Sequence, residues 1–536
     1  MKRNWIKSTI TPLLLITLCL VITSCTQTEK VIHTAHLTAG WYPHSPSELQ
    51  DAIGKYDQFA TKNLSIPFSA NSIKALIVPH AGYRYSGLCA ASAYASLLKN
   101  GKKNTDITSV MIIAPSHYLP VNGIALPKFT HYKTPLGTIP LDTQAIEQMS
   151  KNRLFSIFDD AFTQEHSIEV QLPFLQEHIA SFKIIPVIIG SMATVNMTIM
   201  AEELKNHVGP HTLVVATTDL IHYGQSYKNT PFKEAVFDMI NYFNRTALEQ
   251  IANQSATGFL NVVKENGLNL CGKHAIALLL KMSELGAFGQ VSPSLSCYYS
   301  SPQIIGKDTS ENISIKDLFA PCSDEQSSES VSYAAFVFST TPQQGQPASM
   351  RLTNFEKLSL LASSRRILEN HFSPEFGERR LNEELLLPMP SPGLQENTAI
   401  FSTLTSNNGE LMGCIGTFDR NQPLMRIAPL ITKSAALKDA RFEPLQASQL
   451  AHTHISLSVL SDTKPVKSYR DIILEKHGII MNKDGASATF LPEVAPENHW
   501  TLEKTLSELS LKAGLEPDAW KEGATFEVYE SYKIRE

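Results

Sequence analysis

Short runs of β-branched and other apolar residues alternate with longer amphipathic stretches between Ile73 and Phe338. Such runs predict strands that are buried on both faces, and the amphipathic stretches predict helices that cover them. The runs are IKALIVP (73–79), SVMIIAP (109–115), FKIIPVIIG (182–190) and TLVVATT (212–218), and the helical stretches are AASAYASLL (90–98) and KHAIALLLKM (273–282). The alternation predicts an α/β domain with a largely parallel sheet.

The length of 536 residues predicts a second domain, because single hydrophobic cores stop growing near ~250–300 residues. The strand-like VSYAAFVFS (331–339) is followed by a segment rich in Pro, Gln, Gly and Ser at 340–349, which is typical of a linker. We therefore expect a first domain at 26–339, a linker at 340–350 and a second, mixed α+β domain at 351–536. Its first helix is expected at 358–372.

The charge balance argues against nucleic acid as a partner. The formal net charge is −5, whereas nucleic-acid-binding domains usually carry a strong positive patch. Neither a GxGxxG nor a P-loop pattern is present, so no nucleotide cofactor is expected.

The N-terminus has the features of an export signal. Lys2, Arg3 and Lys7 precede an apolar run at 10–22, which is shorter than the ~20 residues of a membrane span. The run ends in Ile-Thr-Ser-Cys25, which resembles a bacterial lipoprotein cleavage box. We expect residues 1–25 to form a signal peptide and lipobox, with a lipidated Cys25 that anchors an exported protein to a membrane of the cell envelope. The alternative is a short buried helix.

Potential ligand residues follow three of the predicted strands. His80 and His117 come after the first two, and Asp219 with His222 comes after TLVVATT. Ligands of open α/β sheets gather where the carboxyl ends of the strands converge. Cys271 precedes a predicted helix, whose dipole is expected to lower the pKa of the thiol and favour the thiolate.

Two imidazoles and one anionic group resemble the set that holds non-haem iron with open coordination positions. His80, His117 and Cys271 therefore form a candidate metal site. Thiolate is softer than the usual carboxylate, so copper(I), zinc and an altered iron site all remain open. Iron and copper are the leading candidates.

Eight segments in order resemble the signatures of the Memo family over about residues 35–340. They are AGWYP (39–43), PHAGYRYSG (79–87), APSHY (114–118), TPLG (134–137), EHSIEVQLPFL (165–175), TTDLIHYG (217–224), CGKHAIALLL (271–280) and VSYAA (331–335). The family is similar in structure to the class III extradiol ring-cleaving dioxygenases. The resemblance implies metal binding by His80, His117 and Cys271, with Asp219 and His222 beside them. The cysteine departs from the dioxygenase pattern, in which a carboxylate completes the site.

Other residues in these segments have less certain roles. His166 is a candidate for proton transfer, and Glu165 could either join the active site or stabilise a helix start. Gly82, Gly87 and Gly272 are expected to serve tight turns.

Residues 351–536 resemble the AMMECR family through LMGCIGTF (411–418), KHGIIM (476–481), ATFLPEV (488–494), LKAGL (511–515) and FEVYESYKI (526–534). The family's usual arginine is replaced by Met412. Cys414 is either an accessible nucleophile or a buried structural thiol. The two resemblances together point to the AmmeMemoRadiSam system, but a radical-SAM partner is unproven because an export signal would separate it from this chain.

The leading hypothesis is a lipid-anchored, metal-dependent redox protein or dioxygenase-like enzyme. Its candidate catalytic residues are His222, Asp219 and His166, and His222 or His166 is expected to handle protons. The alternative is a non-catalytic protein that binds metal, a peptide or a small molecule in the same crevice. A third hypothesis places the chemistry at Cys414. Each predicts a different response to substitution of the site residues.

Overall fold

The structure is a computed structural model that describes residues 30–64, 69–190, 194–307, 313–340, 351–376 and 378–536. The predicted signal peptide with Cys25, and the predicted linker from residue 341 onwards, lie outside the described residues. Within the described part of the chain, no helix combines the length and the apolar character needed to cross a membrane.

The part of the chain before residue 341 alternates strands and helices as predicted. Its strands are β1 (Ile32–Thr34), β2 (Ile73–Val78), β3 (Ser109–Pro115), β4 (Ile124–Leu126), β5 (His131–Thr134), β6 (Gly137–Pro140), β7 (Phe155–Ile157), β8 (Lys183–Ile189), β9 (Thr212–Thr217), β10 (His222–Tyr223), β11 (Val291–Ser300) and β12 (Ser330–Thr340). Its helices are α1 (Pro46–Asn63), α2 (Tyr83–Tyr94), α3 (Thr143–Met149), α4 (Asp160–Thr163), α5 (His166–Glu169), α6 (Leu172–His178), α7 (Thr194–Lys205), α8 (Val236–Ala252), α9 (Ala256–Glu265) and α10 (Lys273–Glu284).

A sheet of nine strands forms the centre of this α/β domain, and the order along its main path is β10-β12-β2-β9-β3-β8-β4-β7, with β11 paired to β12. The strands β2, β9, β3 and β8 run parallel to one another. Consecutive residues along β9 are all buried, so both faces of the sheet are covered. The predicted strand at 331–339 is present as β12, but it runs antiparallel to β2.

The second part of the chain contains two further sheets of four strands, with the orders β14-β13-β15-β20 and β16-β19-β17-β18. Its strands are β13 (Ala399–Ser406), β14 (Leu411–Thr417), β15 (Thr453–Leu460), β16 (Lys464–Val466), β17 (Gly478–Lys483), β18 (Ala486–Phe490), β19 (Thr525–Tyr529) and β20 (Ser531–Arg535). Its helices are α11 (Asn354–Phe372), α12 (Pro392–Gln395), α13 (Leu424–Leu437), α14 (Val494–Glu497) and α15 (Leu502–Lys512).

Helix α11 begins four residues before its predicted start at 358. Thr353 caps it, because the Thr353 hydroxyl accepts a hydrogen bond from the Glu356 N–H while the Glu356 carboxylate accepts one from the Thr353 N–H. This T-x-x-E pattern is a sequence signal for a helix start, and it locates the boundary more accurately than the apolar periodicity does.

The same helix start is attached to the first domain. Within the part of the chain that the structure describes, strand β11 pairs with β12 alone, so its other edge presents backbone groups that other segments can bind. At Leu295, the N–H donates to Glu356 Oε1 at 3.2 Å, and the carbonyl accepts from the Thr353 hydroxyl at 2.8 Å. Phe355 and Met389 join the apolar core of the first domain. The two parts of the chain are therefore packed against each other.

Candidate metal centre

His80, His117 and Cys271 come together at the carboxyl end of the parallel strands. His80 lies two residues after β2, His117 lies two residues after β3, and Cys271 lies two residues before α10. Their potential ligand atoms all lie within 4.8 Å of one another, and Nε2 of His80 is 3.0 Å from Sγ of Cys271. The structure thus assembles the three residues that the sequence proposes as ligands.

The His80 ring is fixed from two sides. Its backbone N–H donates to Oδ1 of Asp219 at 2.9 Å, and its Nδ1 is 2.9 Å from the hydroxyl oxygen of Thr217. The contact with Thr217 leaves Nε2 to face Cys271. Burial, with the nearby His117 ring, holds the pKa of His80 well below its usual value. The ring is therefore neutral at neutral pH, which is the protonation state that binds metals.

Glu165 orients His117. One carboxylate oxygen lies 2.8 Å from Nδ1 of His117 and the other accepts the His117 backbone N–H at 2.7 Å. Burial alone would raise the pKa of Glu165, but the hydrogen bonds and charge of His117 lower it to about 2. A carboxylate that accepts the Nδ1 proton leaves Nε2 free as a ligand, as is usual for metal-binding histidines. Glu165 also caps α5, so its role at a helix start is confirmed, while its role in an active site stays a prediction.

The expectation of a depressed thiol pKa at Cys271 is wrong. Burial, followed by the negative charge of Asp219, raises the pKa of Cys271 well above its usual value. The Asp219 N–H, the Thr218 side chain and the Gly272 N–H at the helix start oppose this rise, but they do not outweigh burial. In the metal-free protein the thiol is therefore protonated at neutral pH. A bound cation would favour the thiolate.

Gly272 lies in the turn before α10, as expected, and it also brings this cysteine into the site by close approach to the backbone. A Cβ atom at position 272 would lie 2.1 Å from the Thr217 carbonyl oxygen. Gly87 lies inside α2, so the expectation of a turn is wrong there, and Gly82 is the residue that precedes α2. Only glycine lets the start of α10 lie this close to the end of β9.

His222 and Asp219 differ in whether the side chain has an atom available for proton transfer. The Nδ1–H of His222 donates to the Leu220 carbonyl at 2.9 Å, which leaves Nε2 as an acceptor. Asp219 is 4% exposed and accepts the His80 N–H. Burial raises the pKa of Asp219, although the charge of His222 and the N–H of His80 oppose the rise. Asp219 therefore positions His80, and His222 is the better candidate for proton transfer.

His166 lies against the opposite side of His117, with ring centroids 4.4 Å apart. Burial, then the charge of His117, lowers the pKa of His166 to about 4. Its Nδ1 lies 3.3 Å from the Tyr118 hydroxyl, and its ring contacts Trp41 at 4.5 Å. His166 is thus a neutral imidazole in the wall of the site.

Two further groups among the described residues have metal-ligand spacing, and both share residues with the set of His80, His117 and Cys271. They are His117 with Glu165 and His166, and Asp219 with His222 and Cys271. In the first group Glu165 already accepts hydrogen bonds from His117 and Ser167. His80, His117 and Cys271 therefore remain the candidate ligand set that the sequence predicts. Two imidazole nitrogens and a sulfur atom at this spacing fit a transition-metal ion.

A cavity of about 490 Å³ opens onto these residues. Trp41, Tyr227 and Glu329 line it, although the sequence analysis did not single them out. Trp41 lies in the AGWYP segment, so the resemblance of this segment to the Memo family could have identified it as a site residue. Tyr227 and Glu329 follow no pattern that distinguishes them from loop residues.

Cys414 lies in the second sheet region, on the edge strand β14. Its Sγ is 3.3 Å from the Thr403 hydroxyl, and the side chain is half-buried. The backbone N–H of Cys414 donates to Asp439 at 2.8 Å, and its carbonyl accepts from Arg441 at 2.9 Å. Neither the accessible-nucleophile role nor the structural role is thereby decided, and Cys414 stays a candidate thiol.

An α/β domain with two histidines at its strand ends and a cysteine before α10 defines a domain of the Memo type with a candidate metal site. The Memo-like protein family matches residues 34–314, more than half of the chain, and the AMMECR1 family matches residues 365–534. The chain belongs to the Memo family and carries an AMMECR1 domain after its Memo domain.

Curated relatives share this first region. Protein MEMO1 of Danio rerio is 28% identical over 262 residues, which cover 47% of this chain and 84% of the relative. A MEMO1 family protein of Methanothermobacter thermautotrophicus is 28% identical over 246 residues, covering 45% and 83%. An uncharacterized protein of Pyrococcus horikoshii with a solved crystal structure is 26% identical, covering 33% of this chain and 89% of its own, with a TM-score of 0.30.

Proposed function

We propose that this chain is a metal-dependent redox protein whose metal ion is held by His80, His117 and Cys271. The observation that supports the proposal most is the distance of 3.0 Å between Nε2 of His80 and Sγ of Cys271. The other ring nitrogen, Nδ1, contacts the Thr217 hydroxyl, so Nε2 is the nitrogen that remains for a metal ion. A bound transition-metal ion would supply Lewis-acid or one-electron chemistry at this position.

The protein's own residues suit proton transfer beside the metal. His222 presents an acceptor nitrogen, because its Nδ1–H is engaged by the Leu220 carbonyl. An imidazole with one ring nitrogen available as an acceptor can take up a proton from a substrate that lies in the cavity. Trp41 and Tyr227 would shield the bound ligand from water.

Metal analysis of the purified full chain tests the proposal. One equivalent of iron, copper or zinc is expected per chain after anaerobic loading. His80→Ala, His117→Ala and Cys271→Ser should each weaken binding strongly, because a three-ligand site loses both a bond and its geometry. His211→Ala and Cys322→Ser provide matched controls outside the cavity and should bind normally. A wild-type protein that binds no metal above background would refute the proposal.

Cys271→Asp reports on which metal the site prefers. Aspartate would create two imidazoles and one carboxylate, the set typical of non-haem iron. The variant is expected to bind iron better, relative to copper, than the wild type does. Aerobic turnover of catechol-like substrates then separates an enzyme from a binding protein, since a non-catalytic protein would bind metal and ligand without consuming oxygen.

We also propose that the mature protein is a lipoprotein anchored through Cys25. This rests on the sequence alone, namely the basic start, the short apolar run and the small residues before the cysteine. Stable anchoring needs more than one acyl chain, and Cys25 is the proposed attachment site of these chains. Cys25→Ala should therefore abolish palmitate labelling and release the protein from the membrane fraction. A Cys25→Ala protein that still labels and sediments with membranes would contradict the proposal.

A further inference from the structure

An aromatic rim surrounds the cavity in front of the metal-ligand residues. Tyr85 and Tyr227 are 40% and 42% exposed, and Ile305 is 55% exposed. Trp41 and Tyr333 line the same cavity. Apolar side chains that stay exposed on a concave surface usually mark a ligand site. Metal binding alone gives these side chains no role.

The wall of the cavity carries carboxylates without basic side chains. Among the described residues that line it, Asp219 and Glu329 are acidic and none is lysine or arginine. Arg84 and Lys307 line a neighbouring cavity instead, where Lys307 pairs with Asp317 at 2.6 Å. The local charge therefore favours a cationic ligand over an anionic one.

Glu329 is held in place while keeping acceptor capacity. Its Oε1 accepts the backbone N–H of Ser226 at 3.1 Å. A Cβ atom at Gly224, which has φ +136°, would lie only 2.2 Å from its Oε2, so the absence of a side chain there makes room for the carboxylate. A carboxylate has about four acceptor positions. The fixed, exposed carboxylate can accept further hydrogen bonds from a ligand.

Tyr227 contacts the candidate proton-transfer residue and lies within the electrostatic influence of Glu329. Its ring meets that of His222 edge-on, with centroids 5.1 Å apart. Burial and the charge of Glu329 raise the pKa of Tyr227, so the phenol stays neutral and its ring face stays electron-rich. Ammonium groups bind favourably over such faces, especially beside a carboxylate.

We propose that the cavity binds a small aromatic amine, with its ammonium group at Glu329 beside Tyr85 and Tyr227 and its ring towards Trp41. The volume of about 490 Å³ is in the range of small-molecule sites. This inference rests on the proposed function in one respect, since both take the cavity as the site where a ligand binds. Binding of the amine does not require the metal.

Calorimetric titration with three matched ligands tests the charge preference. The ligands are 4-(2-aminoethyl)phenol, uncharged 4-ethylphenol and anionic 3-(4-hydroxyphenyl)propanoate, each added to metal-free full chain at neutral pH. The amine is expected to bind about tenfold more tightly than the uncharged phenol. The propanoate is expected to bind more weakly than both. Equal or tighter binding of the propanoate would overturn the proposal.

Substitutions locate the ammonium group. Glu329→Gln should remove the advantage of the amine while leaving the uncharged phenol within about twofold, since the amide oxygen can still accept the Ser226 N–H. Glu325→Gln, an exposed carboxylate of the same loop, is the control and should change neither. Tyr227→Leu should weaken amine binding more than Tyr227→Phe, because phenylalanine keeps the aromatic face. An unchanged amine preference in Glu329→Gln would refute the assignment.

The same titrations on metal-loaded protein separate this inference from the proposed function. Amine selectivity in a chain that takes up no metal would support the ligand site and count against the metal proposal. Stoichiometric metal binding without amine selectivity would support the metal proposal and count against the ligand site.

Discussion

Arg366 of α11 and Asp238 of α8 form an ion pair, with 2.7 Å between Nη2 and Oδ1, that joins the AMMECR1 domain to the Memo domain. Both side chains are largely buried, at 18% and 11% exposure. Arg245 adds a hydrogen bond from Nη1 to the Leu387 carbonyl at 2.8 Å. Together with the Thr353 and Glu356 contacts to β11, these interactions fix the second domain against the first.

Arg366→Ala is expected to lower the free energy of unfolding by about 1–3 kcal/mol, because it leaves the buried Asp238 carboxylate without its partner. The neighbouring pair of Arg379 and Glu234 also crosses the interface but is 80% and 76% exposed. Arg379→Ala should cost less than about 1 kcal/mol. Double-mutant cycles by urea denaturation measure the coupling energy of each ion pair. Equal coupling energies would show that the buried pair stabilises the interface no more than the exposed pair does.

Limited proteolysis is still expected to cut first in the predicted linker at 340–350, on the basis of its composition. The contacts across the interface add that the two fragments should remain associated after the cut. Gel filtration of the nicked protein, followed by denaturing electrophoresis, tests this. Separate elution of the fragments would show that the interface is weaker than its buried contacts indicate.

The sequence predicts those parts of the fold that depend on the pattern of residues within one short segment. Strands β2, β3, β8 and β9 follow from continuous apolar runs, and the meeting of His80 with His117 follows from the convergence of parallel strand ends. The contacts that tune the site are long-range, for example the 48-residue separation of Glu165 from His117. The pKa of Cys271 depends on burial, which the position of a residue before a helix does not reveal.

Acid sensitivity is expected at Asp439, which accepts the Cys414 N–H. Hydrogen bonds from Arg441, against the effect of burial, lower the pKa of Asp439 to about 2. A depressed folded-state pKa stabilises the protein above the unfolded-state value of about 3.9, and this contribution is lost as pH falls towards 2. The stability difference between wild type and Asp439→Asn should therefore shrink from pH 5 to pH 2.

Urea denaturation at several pH values measures that difference. Asp462→Asn is the control, because the Asp462 side chain is 74% exposed and lies 3.4 Å from its arginine partner. Its stability difference from wild type should stay nearly constant over the same range. A pH-independent effect of Asp439→Asn would mean that the ion pair with Arg441 does not stabilise the fold.

Gly272→Ala should destabilise the protein by about 1–3 kcal/mol, because the new Cβ would overlap the Thr217 carbonyl oxygen and force the start of α10 away from β9. Gly54→Ala is the matched control. A Cβ at this position in α1 meets nothing within 4 Å, so alanine should stabilise by about 0.5–1 kcal/mol through helix propensity. Thermal denaturation of both variants tests the contrast, and equal effects would show that the backbone near Cys271 yields easily.

Glu165→Gln should weaken metal binding about 10–100-fold while leaving the protein folded, because the carboxylate that orients His117 acts through the ligand rather than on the metal. Glutamine can accept one hydrogen bond from His117 but cannot supply the negative charge that increases the basicity of the ring. Competition titration against a chelator of known affinity measures the loss, with Glu177→Gln on α6 as the control. Circular dichroism checks that folding is retained. If Glu165→Gln binds metal as tightly as wild type, the Glu165 contact serves only to cap α5, and the orientation of His117 is set by its own loop.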